Sequence, residues 1–192
     1  SLKYWMLEYH IDGFRFDQAN LLSLETAELI SNELRSINPG VIIYGEAWDN
    51  RSEEFSEIEW GSFNDHFRDV IRGDLHDFEK KGFLFGSYRP NEDKNDLMSI
   101  IGGTSKISGG VYKRSHHAIN FLEVHDDYCF SDFLRLSSGQ NKKDDLIIDK
   151  LSHISLSPIL NKMNKLAAFI LFTSQGIPLF HQGQEWGHSK VI

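Results

Sequence analysis

The sequence predicts an α/β fold built on a parallel sheet. Short β-type runs alternate along the chain with longer helical stretches, the pattern of βα units joined by right-handed crossovers. Three of the runs end in a carboxylate: Asp17 in YHIDGFRFD, Glu46 in VIIYGEAWD and Asp126 in INFLEVHDD. Parallel strands present their C-terminal ends together, so acids far apart in sequence can meet at one end of such a sheet.

Each element has its own signal. Leu2, Trp5, Met6 and Tyr9 recur at helical spacing before the first run, so the chain opens inside a helix. Residues 22–38 form a helix with apolar Leu22, Ala27, Ile30, Leu34 and Ile37, stopped at Pro39-Gly40. A strand follows at 41–46, GSFNDHF around residue 61 supplies the next, and DVIRGDLHDFEKK reads as helical after it. Residues 82–95, with Gly, Pro and Asn, form an excursion, and LMSIIGG near 97 a short helix. Then come the strand AINFLEVHD, a polar loop at 137–145, a helix at 158–174 with the packing stripe Leu166, Phe169, Ile170 and Thr173, and the last strand in GIPLFHQG. Pro178 near the start of that strand is tolerated.

Composition narrows the function by exclusion. The chain has 192 residues, 40% hydrophobic and 25% charged, enough for one sizeable core. Its 28 acidic against 20 basic residues give a net charge of −8, so no general positive field holds nucleic acid or an anionic membrane. No apolar run reaches the length of a membrane span, and no signal peptide is visible. The single Cys129 excludes an internal disulfide and has no metal-ligand spacing around it. A neutral polymer is the better-suited partner.

Carboxylates delivered by separate strands suit glycosyl transfer, which needs an ionised nucleophile on one face of a sugar ring and a protonated acid at the leaving oxygen. Strand alternation puts Arg15 and Asp17 on one side, with His10, Asp12, Phe14 and Phe16 on the other. A fixed cation beside Asp17 favours its charged form, as a nucleophile requires. Glu46 has no basic neighbour in its own run and lies between Tyr44 and Trp48, apolar surroundings that favour the protonated form of an acid. His125 directly precedes Asp126, and Trp48 and Tyr128 offer rings that could stack on sugars or pack in the core. The pair His116-His117 lacks a second ligand pair at metal spacing and reads as a strand-leading segment. Gln182 and Glu185, after the last strand, read as structural.

DGFRFD, GEAWD and VHDD together resemble three ordered signatures of the α-amylase family of glycoside hydrolases and transglycosylases. FNDHFRDVIRG, KKGFLFG and KLAAFILFTSQGIPLFHQGQEW resemble stretches of type I pullulanases and related α-1,6-debranching enzymes, so the likeness runs from residue 4 to residue 190. It implies that residues 1–192 are a partial catalytic domain, the C-terminal part of a (β/α)8 TIM barrel from about strand four to strand eight. It also implies Asp17 as nucleophile, Glu46 as acid/base and Asp126 as the third, transition-state-stabilising carboxylate. Arg15, His125, Trp48 and Tyr128 are then substrate-binding. The family's first signature, an Asp and an Asn-His pair that help shape a calcium site in many relatives, would lie in the missing strands. No metal or cofactor is therefore expected of this chain, and calcium would belong to the full-length protein.

The implied reaction is retaining hydrolysis of an α-glucan, at α-1,6 branch linkages ahead of α-1,4 linkages. Gln18-Ala19 after the nucleophile and Asp127 where Asn is usual depart from the pullulanase pattern, which keeps α-1,4-acting amylases, neopullulanases and glycogen-debranching relatives in view. A reading from another class is a carbohydrate-binding or scaffold barrel that keeps the fold without chemistry. Its usual mark is the loss of a carboxylate, and here all three positions hold acids.

Overall fold

The computed structural model of the chain describes residues 1–48, 51–87, 94–142 and 155–190. The chain forms two compact units. One comprises Ser1–Asn64, Gly102–Ile119 and Gln175–Ile177; the other comprises Asp65–Ile101, Asn120–Ser174 and Pro178–Ile192.

The first unit opens with helix α1 (Leu2–Tyr9), closed by His10 in the left-handed region at φ 55°. Met6 is its buried residue, whereas Trp5 and Tyr9, expected on the same apolar face, are exposed. Strand β1 (Gly13–Phe16) pairs in parallel with β2 (Ile42–Gly45), β2 with β3 (Gly61–Phe63), and β3 with β4 (Ala118–Asn120). The strand order is sequential and ends with β5 (Ile177–Pro178). A parallel sheet with helical connections is the architecture the sequence predicts, though each strand is shorter than its apolar run.

Helix α2 (Leu24–Arg35) joins β1 to β2 and starts at Ser23, whose Oγ accepts from the Thr26 N–H at 3.3 Å. Ala27 and Leu34 face a core with Val41, Ile43, Phe55 and Trp60, and Phe14 and Phe16 pack against it from β1. The Trp60 indole N–H donates to the Ala27 carbonyl at 3.1 Å, so this large ring is buried without an unpaired donor. A short helix α3 (Ser52–Glu57), with no periodic signal in six residues, precedes β3. His117 sits in a 3-10 turn leading into β4, as expected of that pair, and bonds Ser56 Oγ through Nδ1 at 2.8 Å.

In the second unit α4 (Asp65–Arg72), α6 (Phe130–Ser137) and α7 (Pro158–Thr173) share a core that includes Phe67, Ile71, Leu122, Phe130, Leu134, Leu160, Ala167 and Leu171. α5 (Lys94–Ile101) adds Ile100. The helix expected to run through DVIRGDLHDFEKK begins earlier and stops at Arg72. Gly73, at φ 109°, leaves no room for a side chain, since a Cβ there would lie 2.3 Å from the Lys80 carbonyl oxygen. Asp74 Oδ1 then accepts from the N–H groups of His76 and Asp77, fixing a turn that competes with helix. The excursion expected at 82–95 contains a 3-10 turn at Phe83–Phe85, and residues 88–93 lie outside the described residues. Part of the loop expected at 137–145 is also outside them.

One helix is added to the expected set and one expected helix face is corrected. α6 had no reading in the sequence, although Ser131, Asp132 and Arg135 form a polar stripe at helical spacing; in the structure that stripe is buried, with Asp132 and Arg135 paired at 2.9 Å. On α7 the buried face is Leu160, Asn164, Ala167 and Leu171, while Leu166 and Phe169 of the expected packing stripe are exposed.

Candidate active site

The parallel register sets Arg15 opposite Tyr44 and Phe16 opposite Gly45, so Asp17 and Glu46 emerge one step later at the same end of adjacent strands. The Glu46 N–H continues the ladder to the Phe16 carbonyl at 3.1 Å. After Asp17 the chain turns through Gln18, at φ 41°, into a 3-10 turn at Ala19–Leu21. That turn lies directly on Gly45, where a Cβ would be 2.4 Å from the Ala19 Cβ. Glycine at 45 therefore lets the Asp17 and Glu46 backbones close on each other.

Arg15 joins the two acids. Its Nη2 lies 3.0 Å from Asp17 Oδ1 and also pairs with Glu46 Oε1. Two carboxylates on one nitrogen are held within two hydrogen-bond lengths of each other, on the order of 6 Å. Retaining glycosidases place their paired carboxyls about 5 to 5.5 Å apart. The side chain of Asp17 is 70% exposed and that of Glu46 only 6%, so one acid stands open to solvent and the other is enclosed. The Gln18 N–H donates to Glu46 Oε2 at 3.1 Å, and the Phe63 ring lies under the Arg15 guanidinium at 5.8 Å.

The expected surroundings of Glu46 are thus corrected. It is enclosed as anticipated, but its neighbours are a guanidinium and an amide N–H, not only Tyr44 and Trp48. Reading one run at a time missed a cation supplied by the adjacent strand. Trp48 is 39% exposed at the same end of β2, and Tyr44 has its phenol pushed up by burial, with Arg15 opposing.

The other predicted site residues lie in the second unit. His125 Nε2 and Asp126 Oδ2 are 3.3 Å apart, both exposed. Tyr128 meets the Phe78 ring edge-on at 5.5 Å, a packing contact. Sequence reasoning missed the group that shapes this loop. Lys190 Nζ lies among the carbonyl oxygens of Val124, His125, Asp126 and Asp127 at 2.9, 2.7, 2.8 and 2.9 Å, its three N–H donors shared among the four. It also missed buried Arg72, which donates to the Leu122 carbonyl at 2.7 Å and lies 4.7 Å over the Phe133 ring, and whose pKa burial draws down to about 10. Both are single basic residues with no motif around them. Glu185 Oε2 accepts from the Gly183 N–H at 2.8 Å, a loop-shaping contact. Cys129 donates to Asp132 Oδ2 at 3.0 Å, and burial, with the Asp132 charge, pushes its thiol up to about 12.

Among the described residues, two clusters that lie within one unit have ligand atoms close enough to hold an ion: Glu59 with His116 and His117, and Glu123 with His181 and His188. Neither offers the all-oxygen shell that calcium takes.

No protein-family model matches the chain. It is 28% identical over 200 residues to a pullulanase of Bacillus subtilis, covering 97% of this chain and 26% of that protein. It is 23% identical over 240 residues to the chloroplastic isoamylase 1 of Arabidopsis thaliana, covering 98% of this chain and 28% of the relative. The chain therefore spans little more than a quarter of these relatives. Among solved structures, the pullulanase of Anoxybacillus sp. superposes with a TM-score of 0.79 at 28% identity, covering 98% of this chain and 26% of that one. A pullulanase of Paenibacillus barengoltzii complexed with maltotetraose gives 0.80 at 28% identity, covering 98% and 29%. The parallel sheet and its helices match part of a TIM-barrel enzyme in both. Alike in sequence and fold to pullulanases over nearly all of its length, this chain is a relative of the α-amylase-family debranching enzymes.

Proposed function

We propose that this chain carries the catalytic carboxylates of a retaining α-glucan hydrolase that opens α-1,6 branch linkages. The observation that carries this reading is the contact of one Arg15 nitrogen with both Asp17 and Glu46. Exposed Asp17 attacks the anomeric carbon, and Arg15 keeps it oriented. Glu46 protonates the departing oxygen and then activates the water that releases the glycosyl-enzyme, so two inversions give net retention. Asp126, with His125 beside it, holds sugar hydroxyls and stabilises the oxocarbenium-like state. Trp48 presents its exposed ring to a sugar face, and Tyr128, already against Phe78, serves mainly to brace its loop.

The test uses the full-length protein on pullulan, glycogen and amylose. Asp17→Asn should lower turnover by orders of magnitude while leaving the fold intact. Glu46→Gln should do the same on natural glucans but recover its first step on substrates with good leaving groups, which need little protonation. Near-parental cleavage by either variant would overturn the mechanism. Preference for amylose over pullulan would move the assignment to α-1,4 linkages.

One observation favours a glucan-binding protein without chemistry: the acid that must deliver a proton is ion-paired to Arg15. That reading requires sugar binding without turnover in the unsubstituted protein.

A further inference from the structure

We propose that Glu123, His181 and His188 form a three-ligand site for a first-row divalent ion such as Zn²⁺. All three belong to the second unit, and their ligand atoms lie within 4.8 Å of one another. The proposal is independent of the glycosidase reading.

Glu123, just past β4, is buried, and its Oε2 accepts from the Phe130 N–H. Its Oε1 faces both histidines, 2.8 Å from His181 Nδ1 and 3.8 Å from His188 Nε2. The histidines close the segment HQGQEWGH, which folds back on itself through Gly183 at φ 102° and Gly187 at φ 74°. Several bonds make this loop rigid. Asn164 of α7 donates to the Gln184 carbonyl at 2.9 Å, and the His188 carbonyl accepts from Ser131 Oγ. The His188 ring rests on Gly183, where a Cβ would lie 2.5 Å from Nδ1, and that buried Nδ1 has no hydrogen-bond partner among the described residues. Ligands held in place by their surroundings are what an ion site needs.

The donor set decides the class of ion. Two imidazoles and one carboxylate suit zinc or another first-row divalent metal, whereas calcium and magnesium take oxygen shells. The two histidine side chains are 31% and 21% exposed, which leaves a side open for water as fourth ligand. The companion cluster at Glu59 is less suited, because Lys113 Nζ at 2.9 Å and Arg114 Nε at 3.6 Å already neutralise its carboxylate. Imidazole and carboxylate ligands bind a metal ion in competition with protons. Binding should therefore weaken as pH falls.

The experiment titrates the full-length, chelator-treated protein with Co²⁺ and reads visible ligand-field absorption, then displaces it with Zn²⁺. The Zn²⁺-dependent change in Tm is measured in parallel, with Ca²⁺ as control. Saturation at one equivalent, a higher Tm with Zn²⁺ and not Ca²⁺, and loss of both signals in His188→Asn and Glu123→Gln are expected. His188→Asn lies on a half-exposed loop and should fold even where Glu123→Gln does not, which circular dichroism checks. No saturable absorption and no Zn²⁺ effect on Tm overturns the proposal. So does one-equivalent binding that persists in a folded His188→Asn, since the ion then sits elsewhere.

Discussion

Glu46 meets Arg15 from thirty-one residues away, as an enclosed carboxylate against a partly buried guanidinium on the neighbouring strand. Removing the cation leaves that enclosed carboxylate with the Gln18 N–H as its hydrogen-bond partner among the described residues. Arg15→Met should cost about 2 kcal/mol of stability, and Arg15→Lys less, since it keeps a charge but loses the fork. Urea unfolding of the single variants and of Arg15→Met with Glu46→Gln should show the double change costing less than the sum. Strict additivity would mean the pair contributes nothing.

Gly45 sets a hard size limit where the turn after Asp17 lies on β2. Gly45→Ala should destabilise by about 1–3 kcal/mol through overpacking against Ala19. Adding Ala19→Gly should return much of that loss. A Gly45→Ala protein with unchanged Tm would show that the turn is free to lift.

Lys190 holds four successive carbonyls beside Asp126. Lys190→Met should raise hydrogen exchange at residues 124–127 while the helical core stays protected. If Asp126 acts as proposed, kcat on pullulan should fall with it. Unchanged exchange would assign the loop's order to other contacts.

Burial lowers the pKa of His117 to about 4, with His116 adding to the effect. The unfolded chain takes up a proton near pH 6.5 and the folded one only near 4, so stability is full above 6.5 and declines as pH falls between the two. The slope from this group should be at most about 1.4 kcal/mol per pH unit. His117→Gln should flatten the decline in that window when unfolding is followed from pH 7.5 to 4.5. An equally steep decline in the variant would place its origin elsewhere.

Residues 1–192 alone should turn over little α-glucan. Tyr4, Leu7 and Tyr9 of α1 and Leu166, Phe169 and Phe172 of α7 are exposed, and apolar faces of this kind favour association. Reducing-end release from pullulan by the isolated chain at the rate of a full-length protein would refute this.

How much the sequence revealed depended on where each signal is written. The placement of Asp17, Arg15 and Glu46 at one end of adjacent strands was legible because alternation and strand ends are local properties, and β1 and β2 fell where their runs predict. The Arg15–Glu46 pair was not, because it is set by register between strands. α6 was readable in principle from the spacing of Ser131, Asp132 and Arg135 against Phe130, Phe133 and Leu134, but its eight residues are few and its polar stripe faces the core, not water. The stop after Arg72 was readable in principle from Gly73 and Asp74, which favour a turn over helix.

The ammonium of Lys190 sits among four carbonyl oxygens at 2.7 to 2.9 Å, the surroundings a bare potassium ion seeks. Here the cation is tethered by its own side chain, so the loop bearing His125 and Asp126 needs no ion from the medium to keep its shape. Its order is instead mortgaged to the segment that carries the lysine. Exchanging potassium for sodium should leave the loop unmoved, whereas anything that frees residues 181–190 should release it.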